Sequence, residues 1–388
     1  MYNKLSDKKI FYGERWIYSA GFNISVKPNN KERLIEEIED LNKLLSAGAS
    51  VSILSHQGSY DDNTATELDY LIPYLNNYLN TKIKYYPKNN TNGAIHFSKS
   101  IKPGEAVIFG NTRFHKGEQN NDLKLAKKFS LLGNYVAIGG FSKAHRSNAS
   151  NVGITNFIPA YLSEGITKQL KLLDRWTNKN NDSISIAVLG GDKVEKLTIG
   201  LTDLIDNYEY VIPGGAVLNT ILKNLGKNVS SSITYENEHK IMKIVEKILG
   251  DKSFFRKILL PKSIFIKKRY CNKIKEVGCR NINMIKDENF TIVDFSLNSK
   301  AISFLENTVI NKGRLLMSGS PSFCKEGHYK ATNQIIQYFN QNYENSILLG
   351  GDTVEEIKSK AHKSSGGGAA LEYICKNNLV ILDALRAN

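Results

Sequence analysis

The chain has 388 residues, and 52 Lys and Arg against 38 Asp and Glu give a formal charge of +14. Hydrophobic residues at 41% and aromatic residues at 10% exclude an intrinsically disordered chain, and no apolar run approaches the roughly 18–20 residues of a membrane helix. The opening MYNKLSDKKIFYGERW has no apolar secretory stretch, so a soluble, cytoplasmic protein of two or three domains is expected.

One pattern recurs along the chain: a short apolar run, a glycine-rich or polar turn, then a helical period. In the first half the predicted strands lie in RWIYSAGFN, ASVSILSHQG, EAVIFGNTRFH and NYVAIGGFSKAHR. After the first of these, Asn29 and Asn30 offer N-caps, Leu34, Ile38, Leu41 and Leu45 line one helix face, and Gly48 ends the helix. ELDYLIPYLNNYL and DLKLAKKFSLLG read as further helices, the first kinked or split by its proline. Around 162–180 a helix dissolves into polar residues, which marks a domain boundary near 165. In the second half the predicted strands lie in SISIAVLGGDK, EYVIPGGAV, SIFIKK, RLLMSGSPS and SILLGGDT. Strands alternating with helices argue for parallel sheets covered on both faces, so the expected fold is α/β with two doubly wound lobes.

The cysteines Cys271, Cys279, Cys324 and Cys375 have no C-x-x-C spacing and no histidine pair at zinc-ligand spacing, and are read as reduced packing thiols. The densest basic stretch, RKILLPKSIFIKKRYCNKIK, is interrupted by apolar runs. It reads as a solvated basic face in preference to a nucleic-acid surface, and the overall charge suits a small anionic ligand.

In open α/β sheets, ligands bind beyond the carboxyl ends of the strands. In the first half those ends deliver His56, Arg113 with His115, and His145 with Arg146, while Arg33 sits in the first turn of a helix, where a cation opposes the macrodipole. Each taken singly reads as a surface cation with a local partner; converging from separate loops, they form a site for phosphate or carboxylate. In the second half the strand ends deliver Gly190-Gly191-Asp192-Lys193, Gly214-Gly215, Gly350-Gly351-Asp352-Thr353 and Gly366-Gly367-Gly368. One such pair alone reads as a tight turn. Four of them before helical segments, with a lysine for phosphate and an aspartate for magnesium, suggest a nucleotide site, although neither G-x-G-x-x-G nor the P-loop pattern is matched. A basic pocket in one lobe and a nucleotide pocket in the other point to phosphoryl transfer onto a small anionic acceptor.

The order GFN (21–23), Arg33, SHQG (55–58), NTRFHKGE (111–118), AHRSNAS (144–150), GGDKV (190–194), GGDT (350–353) and SSGGGAALE (364–372) resembles the phosphoglycerate kinase family from about residue 9 onward. The resemblance implies an acid-substrate lobe over 1–165, a nucleotide lobe over 166–365, a hinge helix between them, and a segment, 366–388, returning to the first lobe. It implies a kinase that transfers phosphoryl between magnesium–ATP and the carboxylate of 3-phosphoglycerate, with Mg2+ and ATP/ADP as cofactors. A monomer without nucleic-acid or membrane partners is expected. By the same resemblance, Asn23, His56, Arg113 and Arg146 bind the acid, and Arg33, Lys193, Gly367 and Gly368 act on the transferring group. Gly191, Lys193, Gly214, Gly215, Ser318, Gly350, Gly351, Asp352 and Thr353 hold the nucleotide, and Asp352 takes the metal.

The departures from the family pattern matter as much. Its D-F-N reads Gly21-Phe22-Asn23, Ser59 stands where a phosphate-binding arginine is expected, and N-D-A-F reads Ile138-Gly139-Gly140-Phe141. The second lysine after GG-x-K-V is Leu197, with Lys196 displaced by one. Cys324 stands at the ribose-holding acid, leaving Glu326 as a substitute, and Leu349 and Pro213 replace leading glycines of two triplets. Three readings follow: a phosphoglycerate kinase with a loosened pocket, a kinase for a different small carboxylic acid, or a non-catalytic descendant that binds nucleotide or anion. The second would show weak use of 3-phosphoglycerate, rescued in part by Gly21→Asp with Ser59→Arg.

Overall fold

The structure is a computed structural model that describes residues 2–24, 32–177, 184–193, 196–235, 239–268, 273–285 and 289–386. The chain divides into two compact units, one of residues up to 172 with those from 378 onward, the other of 173–377. The Gly366–Gly368 run therefore belongs to the second unit, because the Gly367–Lys376 helix packs there on the 196–207 helical segment. Among the described residues no helix is long and apolar enough to cross a membrane.

In the first unit, β1 (Arg15–Ser19), β2 (Ser50–Ser55), β3 (Lys84–Tyr86), β4 (Ala106–Asn111), β5 (Tyr135–Ile138) and β6 (Ala160–Leu162) form one sheet in the order β3-β4-β2-β1-β5-β6. Every pairing in it is parallel. β2 and β4 are buried throughout, the pattern of central strands covered on both faces. The Glu32–Ser46 helix forms as its periodicity predicts, with Leu34, Leu41, Leu44 and Leu45 buried, and ends where Gly48 turns left-handed at φ +78°. The candidate caps Asn29 and Asn30 lie outside the described residues. The same buried face also carries two carboxylates, Glu37 and Asp40, which the apolar pattern did not announce. Asp40 accepts hydrogen bonds from the amides of Glu164 (2.9 Å) and Gly165 (3.2 Å), and so caps the Glu164–Leu173 helix. Pro73 splits the predicted helix near 70, as expected: a 3-10 turn over Asp69–Leu71 gives way to Ile72–Asn76 with the proline in its first turn.

In the second unit, β7 (Ser185–Leu189), β8 (Tyr210–Pro213), β12 (Arg314–Ser318), β13 (Ser346–Leu349) and β14 (His362–Ser364) make a parallel sheet ordered β14-β13-β12-β7-β8. Its core gathers Ile186, Val188, Met317, Phe339 and Leu348. The connection from β8 to β12 contains a second, antiparallel sheet ordered β10-β9-β11, built from β9 (Ser263–Lys268), β10 (Ile274–Gly278) and β11 (Phe290–Ser296). The alternation of strands and helices had predicted only parallel strands here. Cys279, Cys324 and Cys375 are buried free thiols whose pKa burial pushes up, which fits packing; Cys271 lies outside the described residues.

Asp294, on β11, fixes the loop that leaves β12. Its Oδ1 accepts from Ser322 Oγ (2.7 Å) and the Ala331 amide (3.0 Å), and its Oδ2 from the Lys330 amide (2.6 Å), capping the Lys330–Gln341 helix from outside. Asp294→Ala leaves those donors stranded, and urea unfolding is expected to show a loss of roughly 3 kcal/mol. Asp294→Asn, which keeps acceptor capacity on one side, is expected to lose less.

Candidate active site

In the first unit the chain leaves β1 for β2 on one side and returns as β5 on the other, so the topological switch point lies between β1 and β5. Asn23, His56, Arg113 and Arg146 follow the carboxyl ends of β1, β2, β4 and β5, neighbours in the sheet. Asn111 holds two of these loops together. Its Oδ1 accepts from the amides of Arg113 (2.9 Å) and Gln57 (3.3 Å), and its Nδ2 donates to the carbonyls of Gln57 and Thr66, each at 2.8 Å. Glu118 does the same for the next pair: its carboxylate accepts from Thr112 Oγ1 (3.2 Å), Ser150 Oγ (2.6 Å) and the Ser150 amide (3.0 Å).

Arg113 is 4% exposed, and its Nε has no hydrogen-bond partner among the described residues. Burial lowers its pKa and the nearby Arg146 adds to that, while Glu118 works against both. Two guanidinium groups in mutual repulsion, one of them buried, are relieved by an incoming anion. Arg146 itself is exposed, with Nε 3.4 Å from His145 Nε2. His115 takes another role: Nε2 donates to Asn89 Oδ1 at 2.7 Å and the ring lies against Phe129, so it packs the fold instead of facing the edge. The amide of Ser59 donates to Thr64 Oγ1 at 2.9 Å, closing a turn. Arg33 belongs by its backbone to the Glu32–Ser46 helix, but its side chain lies outside the described residues.

Two ionisable residues at the switch point were not singled out from the sequence. Glu37 is 3% exposed, and its Oε1 accepts from the Gly21 amide at 2.8 Å. Lys143, 4% exposed, donates through Nζ to Ser19 Oγ. Burial raises the Glu37 carboxyl to about 8, against the opposing pull of the Gly21 amide and Lys143, and lowers the Lys143 ammonium to about 8, against that of Glu37 and Glu118. The backbones of Gly21 and Gly140 touch: a Cβ on Gly21 would lie 2.6 Å from Gly140 Cα. A Cβ on Gly139 would lie 2.5 Å from the Tyr18 hydroxyl and 2.6 Å from Glu37 Oε2. The departures at 21 and 139–140 are thus one packing solution, and an aspartate cannot be restored at 21 without displacing backbone. This corrects the expectation that Gly21→Asp rescues a weakened site. The available signal was a carboxylate at 37 on the stripe of Leu34, Leu41 and Leu44.

In the second unit the switch point lies between β7 and β12. The glycine runs do lie at the carboxyl ends of β7, β8, β13 and β14, but most of their amides are not bare: Gly350 donates to the Ser364 carbonyl at 2.8 Å, Gly367 to that of Ser365 at 3.1 Å and Gly366 to Ser364 Oγ at 3.4 Å. The N–H groups of Gly190, Gly191, Gly214 and Gly215 donate to the carbonyls of Ser318, Ser320, Leu189 and Pro321 at 2.9–3.0 Å. A Cβ on Gly190 would meet the Ser320 carbonyl at 2.3 Å, and one on Gly214 the Cα of Pro321 at 2.5 Å. These glycines let two loops cross; the reading of Gly191, Gly214 and Gly215 as amide donors to phosphate is corrected accordingly. Ser318 ends β12 fully buried, at the crossing. The other glycines remain at helix starts: Gly351 opens Gly351–Glu356 and Gly367 opens Gly367–Lys376, with Gly368 next in its first turn. A Cβ on Gly367 would lie 3.2 Å from Gly350 Cα, so these two helix N-termini sit side by side.

Beside them Lys193 Nζ meets Asp352 Oδ2 at 2.9 Å, both side chains more than half exposed. Lys325, which the sequence reading passed over, is 4.0 Å from Asp352 Oδ1 and 3.4 Å from Glu356 Oε1. Thr353 is buried, and its Oγ1 accepts from the Gly319 amide at 3.1 Å, tying this helix to the β12 loop. Cys324 is buried against Thr332, whereas Glu326 is exposed. The side chains of Lys196 and Leu197 lie outside the described residues. Among the described residues no three His, Cys, Asp or Glu side chains gather as a metal site. A lone carboxylate such as Asp352 fits magnesium that arrives on phosphate oxygens and keeps its waters, not a metal caged by protein.

The profile of the family described as phosphoglycerate kinase matches residues 7–376. The phosphoglycerate kinase of Thermosipho africanus (strain TCF52B) is 29% identical over 382 residues, covering 93% of this chain and 92% of that one. That of Finegoldia magna is 26% identical over 375 residues, with 93% of each chain covered. Among solved structures, phosphoglycerate kinase from Pyrococcus horikoshii OT3 superposes with a TM-score of 0.81 at 23% identity, covering 99% of this chain and 98% of that one. The one from Coxiella burnetii gives 0.75 at 22% identity, covering 100% and 99%. These two are likenesses of fold, whereas the family profile spans nearly the whole sequence: the chain belongs to the phosphoglycerate kinase family, and is a phosphotransferase.

Proposed function

We propose that the protein transfers a phosphoryl group reversibly between magnesium–ATP and the carboxylate of 3-phosphoglycerate. The observation that supports this most is the Lys193–Asp352 pair at the paired helix N-termini, where phosphate and metal would each take one partner of an ion pair that is exposed and therefore cheap to open. In the forward step a carboxylate oxygen attacks the γ-phosphorus and the bond to the β–γ bridging oxygen breaks, leaving ADP and an acyl phosphate; no proton moves. Asn23, His56, Arg113 and Arg146 hold the acid, with Arg113 supplying a buried guanidinium. Arg33, Lys193 and the Gly368 amide stabilise the group in flight; the Gly367 amide, which the sequence also suggested, is already given to the Ser365 carbonyl. Asp352 would hold magnesium, which would supply neutralisation of charge on the phosphate oxygens.

A second reading, a different small carboxylic acid as acceptor, is favoured by the contact between Gly21 and Gly140, which leaves no room for a carboxylate at 21. It is favoured also by Ser59, whose position offers no cation to a substrate phosphate.

Incubation with ATP, magnesium, a panel of small acids and hydroxylamine is expected to trap an acyl phosphate as the hydroxamate. No ATP turnover with any acid would sink the proposal. Arg33→Ala is expected to lower kcat by roughly 10²-fold while the Kd for ADP by calorimetry stays within about twofold, since its contribution belongs to the transition state. If 3-phosphoglycerate is a poor substrate, Ser59→Arg is expected to lower its KM by about tenfold or more, the worth of one charge-assisted contact, whereas Gly21→Asp gives no improvement. A KM for 3-phosphoglycerate already far below that of every other acid removes the second reading.

A further inference from the structure

We propose that Glu37 is a positioning residue for phosphoryl transfer: its carboxyl group locks the helix that carries Arg33 onto the segment that carries Asn23. The proposal rests on the function proposed above, in which Arg33 and Asn23 act on the two ends of the same reaction. Glu37 follows Arg33 by four residues in the Glu32–Ser46 helix, so the two positions share a face about 6 Å apart along the axis. The Gly21 amide that Glu37 Oε1 accepts, at 2.8 Å, lies two residues before Asn23. That segment is held at its other side by Ser55, the neighbour of His56, whose Oγ accepts from the Phe22 amide at 3.1 Å. Two tight turns, Asn23 N–H to Gly21 O and Ile24 N–H to Phe22 O, each at 2.8 Å, then set the path of the chain. One bond from the helix therefore fixes where position 33 stands relative to position 23.

A purely apolar side chain at 37 would pack against the same glycines but strand a buried N–H. The carboxyl group is retained although its second oxygen, Oε2, is buried without a hydrogen-bond partner among the described residues. The space it occupies exists because Gly139 has no side chain. The groups facing it are the Tyr18 hydroxyl on β1, Lys143 in the turn after β5, and Glu36 and Asp40 on its own helix; Lys143 in turn faces Glu118 and Arg113. Burial outweighs the Gly21 amide and Lys143 and raises the affinity of the carboxyl group for its proton. Between its ordinary value near 4.5 and about 8, the folded protein then binds a proton that the unfolded chain does not, so stability falls as pH rises through that window.

The test compares the whole protein with Glu37→Gln, which keeps an acceptor for the Gly21 amide, and Glu37→Ala, which removes it. Expected for Glu37→Ala are a kcat at least tenfold lower, a KM for ATP within twofold, and amide exchange in the peptide spanning 15–24 at least tenfold faster. Glu37→Gln is expected to recover kcat at pH 7 to within about threefold of the unaltered protein and to restore the slow exchange. The melting-temperature advantage of Glu37→Gln over the unaltered protein is expected to widen from pH 5 to pH 8. If the alanine variant does not fold, Glu37→Met, which fills the space without an acceptor, takes its place with the same expectations. Unchanged kcat and exchange in the variant lacking the acceptor overturn the proposal. So does a Glu37→Gln variant as damaged as the alanine one, or a melting difference that does not vary with pH. Absence of turnover in the unaltered protein would instead overturn the proposed function, and the exchange measurement still decides whether Glu37 holds the segment.

Discussion

Both parallel sheets depend on the same constraint: at a switch point, chains that depart in opposite directions must lie backbone against backbone, with no side chain between them. Gly21 meets Gly140 in the first unit, and in the second a Cβ on Gly319 would lie 2.1 Å from the carbonyl of Gly190. Because all strands of each sheet run the same way, every loop that carries a candidate functional side chain opens onto the edge where these crossings occur. The charged groups come a few residues after the crossing: Arg146 after Gly140, Lys193 after Gly190. Glycine at the crossing and charge beyond it are thus two consequences of one topology.

What orients these loops is a small set of buried carboxylates. Glu37, Asp40, Glu118 and Asp294 each accept hydrogen bonds from backbone amides of another element. Apolar packing, being non-directional, brings elements together without fixing a loop's path; a carboxyl group that accepts from a backbone amide does fix it, and desolvation is the cost. Asn111 shows the neutral version, clasping the His56–Gln57 loop and the Arg113 turn with both ends of its amide.

Much of the fold was legible because β1, β2, β4, β5, β7, β12 and β13 are apolar runs that end in turns. The shortest strands, β3, β6 and β14, have three residues each and hold no readable period. The antiparallel sheet escaped because β10, at its edge, is mostly exposed and reads as polar. The family motifs singled out Arg113, Arg146, Lys193 and Asp352, each of which follows the carboxyl end of a strand. They did not locate Glu37, Lys143 or Lys325, whose surroundings come from strands and loops distant in sequence. Glycines were legible as glycines but not in their use, because a closed backbone crossing and an open phosphate cradle require the same residue.

Lys193, Asp352, Lys325 and Glu356 form an alternating chain of opposite charges at the helix starts of the second unit. The four cancel, and Asp192 also acts on Lys325, so this corner exerts no long-range attraction on a polyanion in solution. Capture from a distance falls instead to the diffuse field of a chain carrying +14, which physiological salt attenuates within about 8 Å. Under the proposed function, arrival is therefore governed by the background electrolyte and residence by the local exchange of counter-ions, so the two rates respond to different variables.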